Sequence, residues 1–520
     1  MKYSKGKEKR GDTMKRIAAF ALSLAVLLSG CGGKSPSAED AVEIVLSDAQ
    51  ITVDGEAVSS DAAQAVYTDR DIIYYEAGRD FTYGEGSEED GHSPQEAQAH
   101  TVVHITQPGR YALSGKLSNG QIAVDLGKDA EDDPNAVVTL VLKGAEITCT
   151  VAPAIIFYNV YECSGKEASN PSVDTSRAGA NVEIADGTVN EIAGAYVAKI
   201  YKPETVELNQ DGTEVKEAKK LHKYDGAVYS KMSMNVNGNT GVLNIRAANE
   251  GLDTELHLTI NGGNIHILSG NDGINTNEDG VSVTTINGGT VHIQVDGSTG
   301  EGDGIDSNGY LVINGGTVIS QACSFSMDAG IDSDLGIYLN GGTVMATGNM
   351  LDHIAGGEEN YGVFQFSGSG QAEEVVLKNA AGEILVQEKL ENAYTCLIIA
   401  HPEMKPGDYT LWLDGVQRQV MAGQSGGGMG FMGGMAPPEG MEPFGGMPQM
   451  PEGMERPEGM PQMPEGMAPP EGGQFPQGEP QRKPDGAGKP DFPNFENQPA
   501  GQAGDSFRIE KGGNYFQVIG

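Results

Sequence analysis

Apolar and polar residues alternate in short runs along most of the chain. The runs include VEIVLSDAQITVDG from Val42, VVHITQPGRYALSG from Val102, AVVTLVLKGAEITCTV from Ala136 and ANVEIADGTVNEI from Ala180. Period-two alternation bounded by Gly, Asp and Asn predicts half-buried β-strands, and no stretch of useful length carries a helical period. Polar segments at 76–99, 164–177 and 202–220 read as loops inserted between strands.

From Tyr224 the pattern becomes a repeat. Asn237, Asn261, Asn287, Asn314 and Asn340 fall in one column at spacings of 24, 26, 27 and 26, in the turns VNG, INGG and LNGG. Ser230, Thr254, Thr276, Ser307 and Ser333 form a second column at spacings of 24, 22, 31 and 26. Two registers advancing together mean a repeated supersecondary unit. Each unit holds a strand such as GIDSN, a second such as GYLVI, an Asn-Gly-Gly turn and a third such as TVISQ. Three short strands with Gly/Asn corners predict an all-β parallel β-helix, each coil burying its inward residues against its neighbours. The expected organisation is a β-helical domain over 42–350, a β-rich cap or small sheet domain over 351–421, and a terminal strand over 505–520. Between the last two, 422–504 is a Pro/Gly/Met/Glu segment with four PEGM copies, whose composition predicts disorder.

Alternation within the first strand of each unit turns Ile or Leu and Ser or Thr inward. Tyr229 and Lys231, Asp253 and Glu255, Asn275 and Asn277, Asp306 and Asn308, and Asp332 and Asp334 then face outward. At the preceding corner lies a further acidic column of Glu250, Asp272 and Asp303, ending at Ala329. Coils stacked about 4.8 Å apart turn these positions into ladders, and two carboxylates at that separation repel by roughly 3 kcal/mol at an effective dielectric near 20. Protons or cations must relieve this. Mixed Asp, Glu and Asn oxygens suit Ca²⁺. The candidate ligands are Asp253, Glu255, Asp272, Asn275, Asn277, Asp303, Asp306, Asn308, Asp332 and Asp334. The alternative is a solvated face of turn-forming residues. Zinc is disfavoured, because His257, His266 and His292 are scattered and no cysteine pairs with them.

Composition narrows the partners. The net charge of -39 sets nucleic acid and anionic membrane against the protein's field and makes divalent cations the natural partners. Near the start, Lys15-Arg16, an apolar run to Leu28 and Leu28-Ser29-Gly30-Cys31 read as a signal peptide over 1–31, with Met14 as the natural start. The end of this run resembles the lipobox of bacterial lipoproteins, which implies lipidation at Cys31, a tether over 32–41 and anchoring to the extracellular face of the bacterial cell membrane. Cys149, Cys163, Cys323 and Cys396 are too sparse for a disulfide framework; buried thiols are the simpler reading, and a Cys149–Cys163 bridge stays open.

The lipobox, the GRYALSGKL, GQIAVDL and VTLVLKGAEIT segments, and the coils GINTNEDGVSVTTINGGTVHI and GDGIDSNGYLVINGGTVIS together resemble the bacterial carbohydrate-binding domain-containing family. That resemblance implies a right-handed parallel β-helix similar to pectate lyases, Ca²⁺ binding, and binding of cellulose and polygalacturonate without established catalysis. The insertions at Ser164 and Lys202, the PEGM segment and Lys231 in place of an acid depart from the family pattern. The function expected is calcium-dependent, non-catalytic binding of an acidic or plant cell-wall polysaccharide. The alternatives are a polysaccharide lyase, with Lys231 or Arg246 as base, and a calcium-stiffened adhesion protein. Trp412, the single tryptophan, reads as a packed strand residue rather than a sugar platform.

Overall fold

A computed structural model describes residues 41–165, 170–370, 374–423 and 503–519. The expected signal peptide with Cys31, nearly all of the tether and most of 422–504 lie outside the described residues. Within them the protein is all-β; their one α-helix is Pro94–Gln98, begun by a capping box between Ser93 and Glu96.

Strands pair in parallel with their counterparts one repeat later, in three stacks. The first runs through Thr101–Ile105, Gly120–Asp125, Ile155–Asn159, Gly226–Ser230, Glu250–Thr254, Ile274–Thr276 and Ile305–Ser307. A second stack contains Ala180–Ile184, Met234–Gly238, Leu258–Ile260, Val283–Ile286, Tyr310–Ile313 and Gly336–Leu339. The third includes Val189–Gly194, Val242–Ala247, Asn264–Ser269, Thr290–Val295, Thr317–Gln321 and Thr343–Gly348.

Inward columns make the core. Leu252, Ile274 and Ile305 stand in register and are wholly buried, as are Ile260, Ile286 and Ile313 of the second stack and Ile265, Val291 and Val318 of the third. Burying each such side chain stabilises the fold by roughly 2 kcal/mol. The Asn column at the turn is a ladder of side-chain amides: Asn261 donates to Asn237, Asn287 to Asn261, Asn314 to Asn287 and Asn340 to Asn314, each at 2.9 Å. The glycines beside it are forced. Gly289 has φ +84, and a Cβ there would lie 2.5 Å from the carbonyl oxygen of Gly263.

Antiparallel strands close the far end. Tyr394–Ala400 pairs with Thr343–Gly348, and Glu374–Asn379, Ile384–Lys389 and Gly407–Leu413 form a sheet over a second core containing Leu377, Leu411 and Phe507. After the undescribed segment the chain returns, Phe507–Ile509 pairing with Gly407–Leu413 and Gly513–Ile519 with Tyr361–Gly370. All four cysteines named above that lie in the described residues are free thiols, three of them buried.

One inserted segment differs from the loop expected of it. Val197–Tyr201 and Lys220–Tyr224 pair antiparallel, and Glu207–Leu208 with Val215–Glu217 extends them into a hairpin. Its tip is Asp211-Gly212, with Gly212 at φ +68, a turn pair that hides inside an otherwise polar sequence. The hairpin leans on a neighbouring loop through Lys199 Nζ to Glu85, 2.6 Å.

Candidate metal centre

The hairpin ends where the repeat begins, and that junction builds the site. Asp225 precedes Gly226–Ser230, and the next coil enters with Glu250–Thr254. Parallel pairing sets Gly226 against Glu250 and Tyr229 against Asp253. At Gly226 the absent side chain matters, because a Cβ there would lie 2.5 Å from Cβ of Asp253. Asp225, Glu250 and Asp253 each offer a carboxylate oxygen within 4.8 Å of the others. They are 7%, 5% and 0% exposed.

Alternation places Asp253 on the outer side of the strand, opposite the core, yet it has no exposed surface. The hairpin covers it. Lys223 Nζ lies 2.6 Å from Asp225 Oδ2, Lys220 Nζ 2.8 Å from Glu255 Oε1, and the Tyr224 ring packs edge-on against Tyr229 with centroids 5.0 Å apart. The expectation of open ladders therefore fails at Asp253, and at Asn275, which is 8% exposed. Glu255 is drawn away from the triad, accepting from Tyr229 Oη at 2.8 Å as well as from Lys220.

Asparagines of the following coil bind the acids of this one. Asn275 Nδ2 donates to Glu250 Oε1 at 3.0 Å, and Asn277 Nδ2 donates to Asp253 Oδ1. At this site three buried oxygens have no hydrogen-bond partner: Glu250 Oε2, Asp253 Oδ2 and Asn275 Oδ1. Burial, then the neighbouring carboxylates, pushes Glu250 and Asp253 well above the ordinary carboxylate range. Asp225 is raised by burial too, with Lys223 opposing. An all-oxygen donor set with orphaned lone pairs fits a hard divalent cation.

The remaining sequence-predicted positions gather further along the stack. Asp272 Oδ1 accepts the Asp303 amide at 2.7 Å, and Asp303 Oδ1 accepts the Ala329 amide at 2.5 Å, so each corner acid clamps the next coil with one oxygen. Asp306 stands in register with Asn275, and the Asp332 amide continues the ladder by donating to the Ile305 carbonyl at 2.7 Å. Burial and then mutual repulsion push Asp303 up to about 9, Asp332 to about 7 and Asp306 to about 6. Asp272 is also raised, by burial and then by Glu250 and Asp306, and Asp352, beyond the recognisable repeats, is raised by burial. Asn308 is occupied with the Asn277 carbonyl at 2.9 Å, and Asp334 is exposed at the rim.

Asp225, Lys223 and Asp352 were absent from the sequence-derived set. Asp225 sits one position before the first aligned strand, Lys223 belongs to the insertion, and Asp352 falls where the repeat decays. A carboxylate directly before Gly226 at a coil corner was the signal available for the first.

A sequence model of carbohydrate-binding domain-containing proteins matches residues 99–360, half of the chain. The chain belongs to that family. A carbohydrate-binding domain-containing protein of Acetivibrio thermocellus is 28% identical over 254 residues, 49% of this family member and 64% of the relative, so the match spans less than two thirds of the relative's length. A solved structure of a polysaccharide lyase-like protein from C. thermocellum, a gadolinium derivative, is similar to this carbohydrate-binding domain protein at 21% identity. That likeness covers 61% of this chain and 93% of the other, with a TM-score of 0.32.

Proposed function

We propose that the protein is a non-catalytic polysaccharide-binding lipoprotein, anchored through Cys31 to the extracellular face of the bacterial membrane, whose three parallel stacks wind as a right-handed β-helix. Calcium is its proposed cofactor. The observation that carries the cofactor reading is the trio of orphaned buried oxygens on Glu250, Asp253 and Asn275. With Asp225 they would hold the ion, and because all four are buried, that centre fastens three successive coils together rather than meeting a ligand. Family membership supports carbohydrate as the ligand class.

The more open acids, Asp306, Asp332 and Asp334, would receive the polysaccharide. An acidic glycan such as polygalacturonate cannot approach them unaided. Bound calcium supplies the positive charge and the coordination positions that carboxylates of both partners share. Asp306 and Asp332, stacked one coil apart, orient such contacts along an extended chain. The bases of a lyase reading lie elsewhere: Lys231 is paired with Glu131 at 3.1 Å, and Arg246 belongs to the third stack.

A second reading concerns neutral glycans. A groove beside the amide ladder is lined by Thr259, Thr285, Asn287 and Asn314 and walled by 171–176. Thr175 Oγ1 already contacts Asn235 Oδ1 at 2.8 Å and Thr259 Oγ1 at 2.6 Å, so these columns take a hydroxyl. Retention on immobilised polygalacturonate and on cellulose, with and without EDTA, separates the readings. Calcium bridging requires polygalacturonate retention that EDTA abolishes; EDTA-resistant retention overturns it. Unsaturated product in the same samples would establish a lyase instead.

A further inference from the structure

The hairpin brings an ammonium group to the buried carboxylates from outside the repeat. Lys223 lies two residues before Asp225, on the strand Lys220–Tyr224, and its Nζ holds Asp225 Oδ2 at 2.6 Å. That strand is irregularly paired. It pairs with Val197–Tyr201 only at Val197/Tyr224, Ile200/His222 and Tyr201/Lys220, with a register shift between each pair. Glu250 and Asp253 by contrast are fixed by Asn275 and Asn277, and the backbone of Asp225 is held where its carbonyl accepts the Glu250 amide at 3.2 Å. A cation entering the centre therefore meets a rigid set of oxygens and a yielding competitor.

We propose that Lys223 is a tethered counter-cation that competes with the metal ion for Asp225, and so sets the affinity of the buried centre and couples its filling to release of the Lys220–Tyr224 strand. The inference rests on the metal reading of Asp225, Glu250 and Asp253. A side-chain ammonium and a divalent ion of like sign cannot both draw fully on one carboxylate oxygen, and the ammonium's stem can swing while the coil backbone cannot. The lysine would also keep the carboxylates tolerable when metal is scarce.

The test is calcium titration of the whole protein by calorimetry, following the binding increment that Asp253→Asn removes. Lys223→Gln should tighten that increment on the order of tenfold or more, while Lys223→Arg, which keeps the charge, stays near the wild type. Hydrogen exchange of the Lys220–Tyr224 amides in the wild type should quicken when calcium is added. Unchanged or weaker binding by Lys223→Gln, with the wild type binding normally, overturns the competition and leaves the metal reading standing. No binding by either protein overturns both, whereas binding by Lys223→Gln alone supports the competition strongly. If Lys223→Gln does not fold, the wild-type exchange decides, and exchange that calcium leaves unchanged overturns the proposal.

Discussion

Asn275 donates from Nδ2 to Oε1 of Glu250 at 3.0 Å, which leaves Oε2 of that carboxylate and Oδ1 of that amide without partners in a buried site. An unpartnered buried oxygen costs about 1–3 kcal/mol, more when charged, so the arrangement is stable only with a proton or a cation beside it. The neighbouring Asp253 has the same defect at Oδ2.

Replacing Asp253 with Asn should therefore act in opposite directions with and without metal. The amide is close in shape and keeps an oxygen for Asn277, but it removes a charge from the triad. In EDTA near pH 8 the melting temperature of Asp253→Asn should match or exceed that of the wild type. Calcium should raise the wild-type value and leave the variant's increment smaller. A variant that melts lower in EDTA yet keeps the whole calcium increment would remove Asp253 from the centre.

The carboxylates further along the stack make stability depend on pH. Asp306, Asp332 and Asp303 are pushed up to about 6, 7 and 9, against about 3.9 for an unfolded aspartate. A raised acid binds its proton more tightly when folded, so its contribution is complete below about pH 4 and is lost as pH rises through the folded value. Asp48 and Asp186, lowered by hydrogen bonds to Ser118 and Thr240, change their contribution only below that window. His92, His222, His257, His292 and His401 are lowered by burial and gain stability as pH rises to about 7, so the clear window lies above it. In EDTA the melting temperature should fall from about pH 7 to about pH 9, and calcium should restore most of the loss at the upper end. A metal-free melting temperature that climbs across this range would mean these acids are not held protonated.

The repeat was legible because its physics is local. Ile274 and Ile305 are inward for the reason that alternation names, and the Asn-Gly-Gly turns carry both a positive φ and an amide ladder. The covering of the outer face was not. Alternation tells which way Asp253 points, but not that Lys220, Lys223 and Tyr224 of the insertion before the repeat lie across it. For the same reason Asp225 and Lys223 were missed. They contribute to the centre through tertiary placement, outside any column that a repeat alignment contains.

The turn column permits a graded test of what maintains the stack. Asn287→Ala removes one bond to Asn261 and one from Asn314, both at the surface, and should cost about 1 kcal/mol. Gly289→Ala forces a side chain into φ +84 and against the Gly263 carbonyl, and should cost about 2–3 kcal/mol. Urea unfolding midpoints report both. Equal costs, or a larger one for Asn287, would show that the ladder rather than the glycine geometry governs the turn.

Trp412 offers a probe that is silent if the proposed glycan surface is right. It lies in Gly407–Leu413 of the end sheet, half-buried, with its Nε1 donating to Thr410 Oγ1 at 2.9 Å and the Lys378 ammonium 4.1 Å from its ring centroid. Tyr409, Leu411 and Leu413 of the same strand point the other way into the second core. A ring whose face already holds a cation has less of that face to offer a sugar. Since the chain contains one tryptophan, its fluorescence reports this position alone. Saturating polygalacturonate in calcium should leave the emission unchanged, and Trp412→Phe should bind as the wild type does. Quenching on binding, together with loss of binding by the variant, would move the glycan from the acidic ladder of Asp306 and Asp332 to the end sheet.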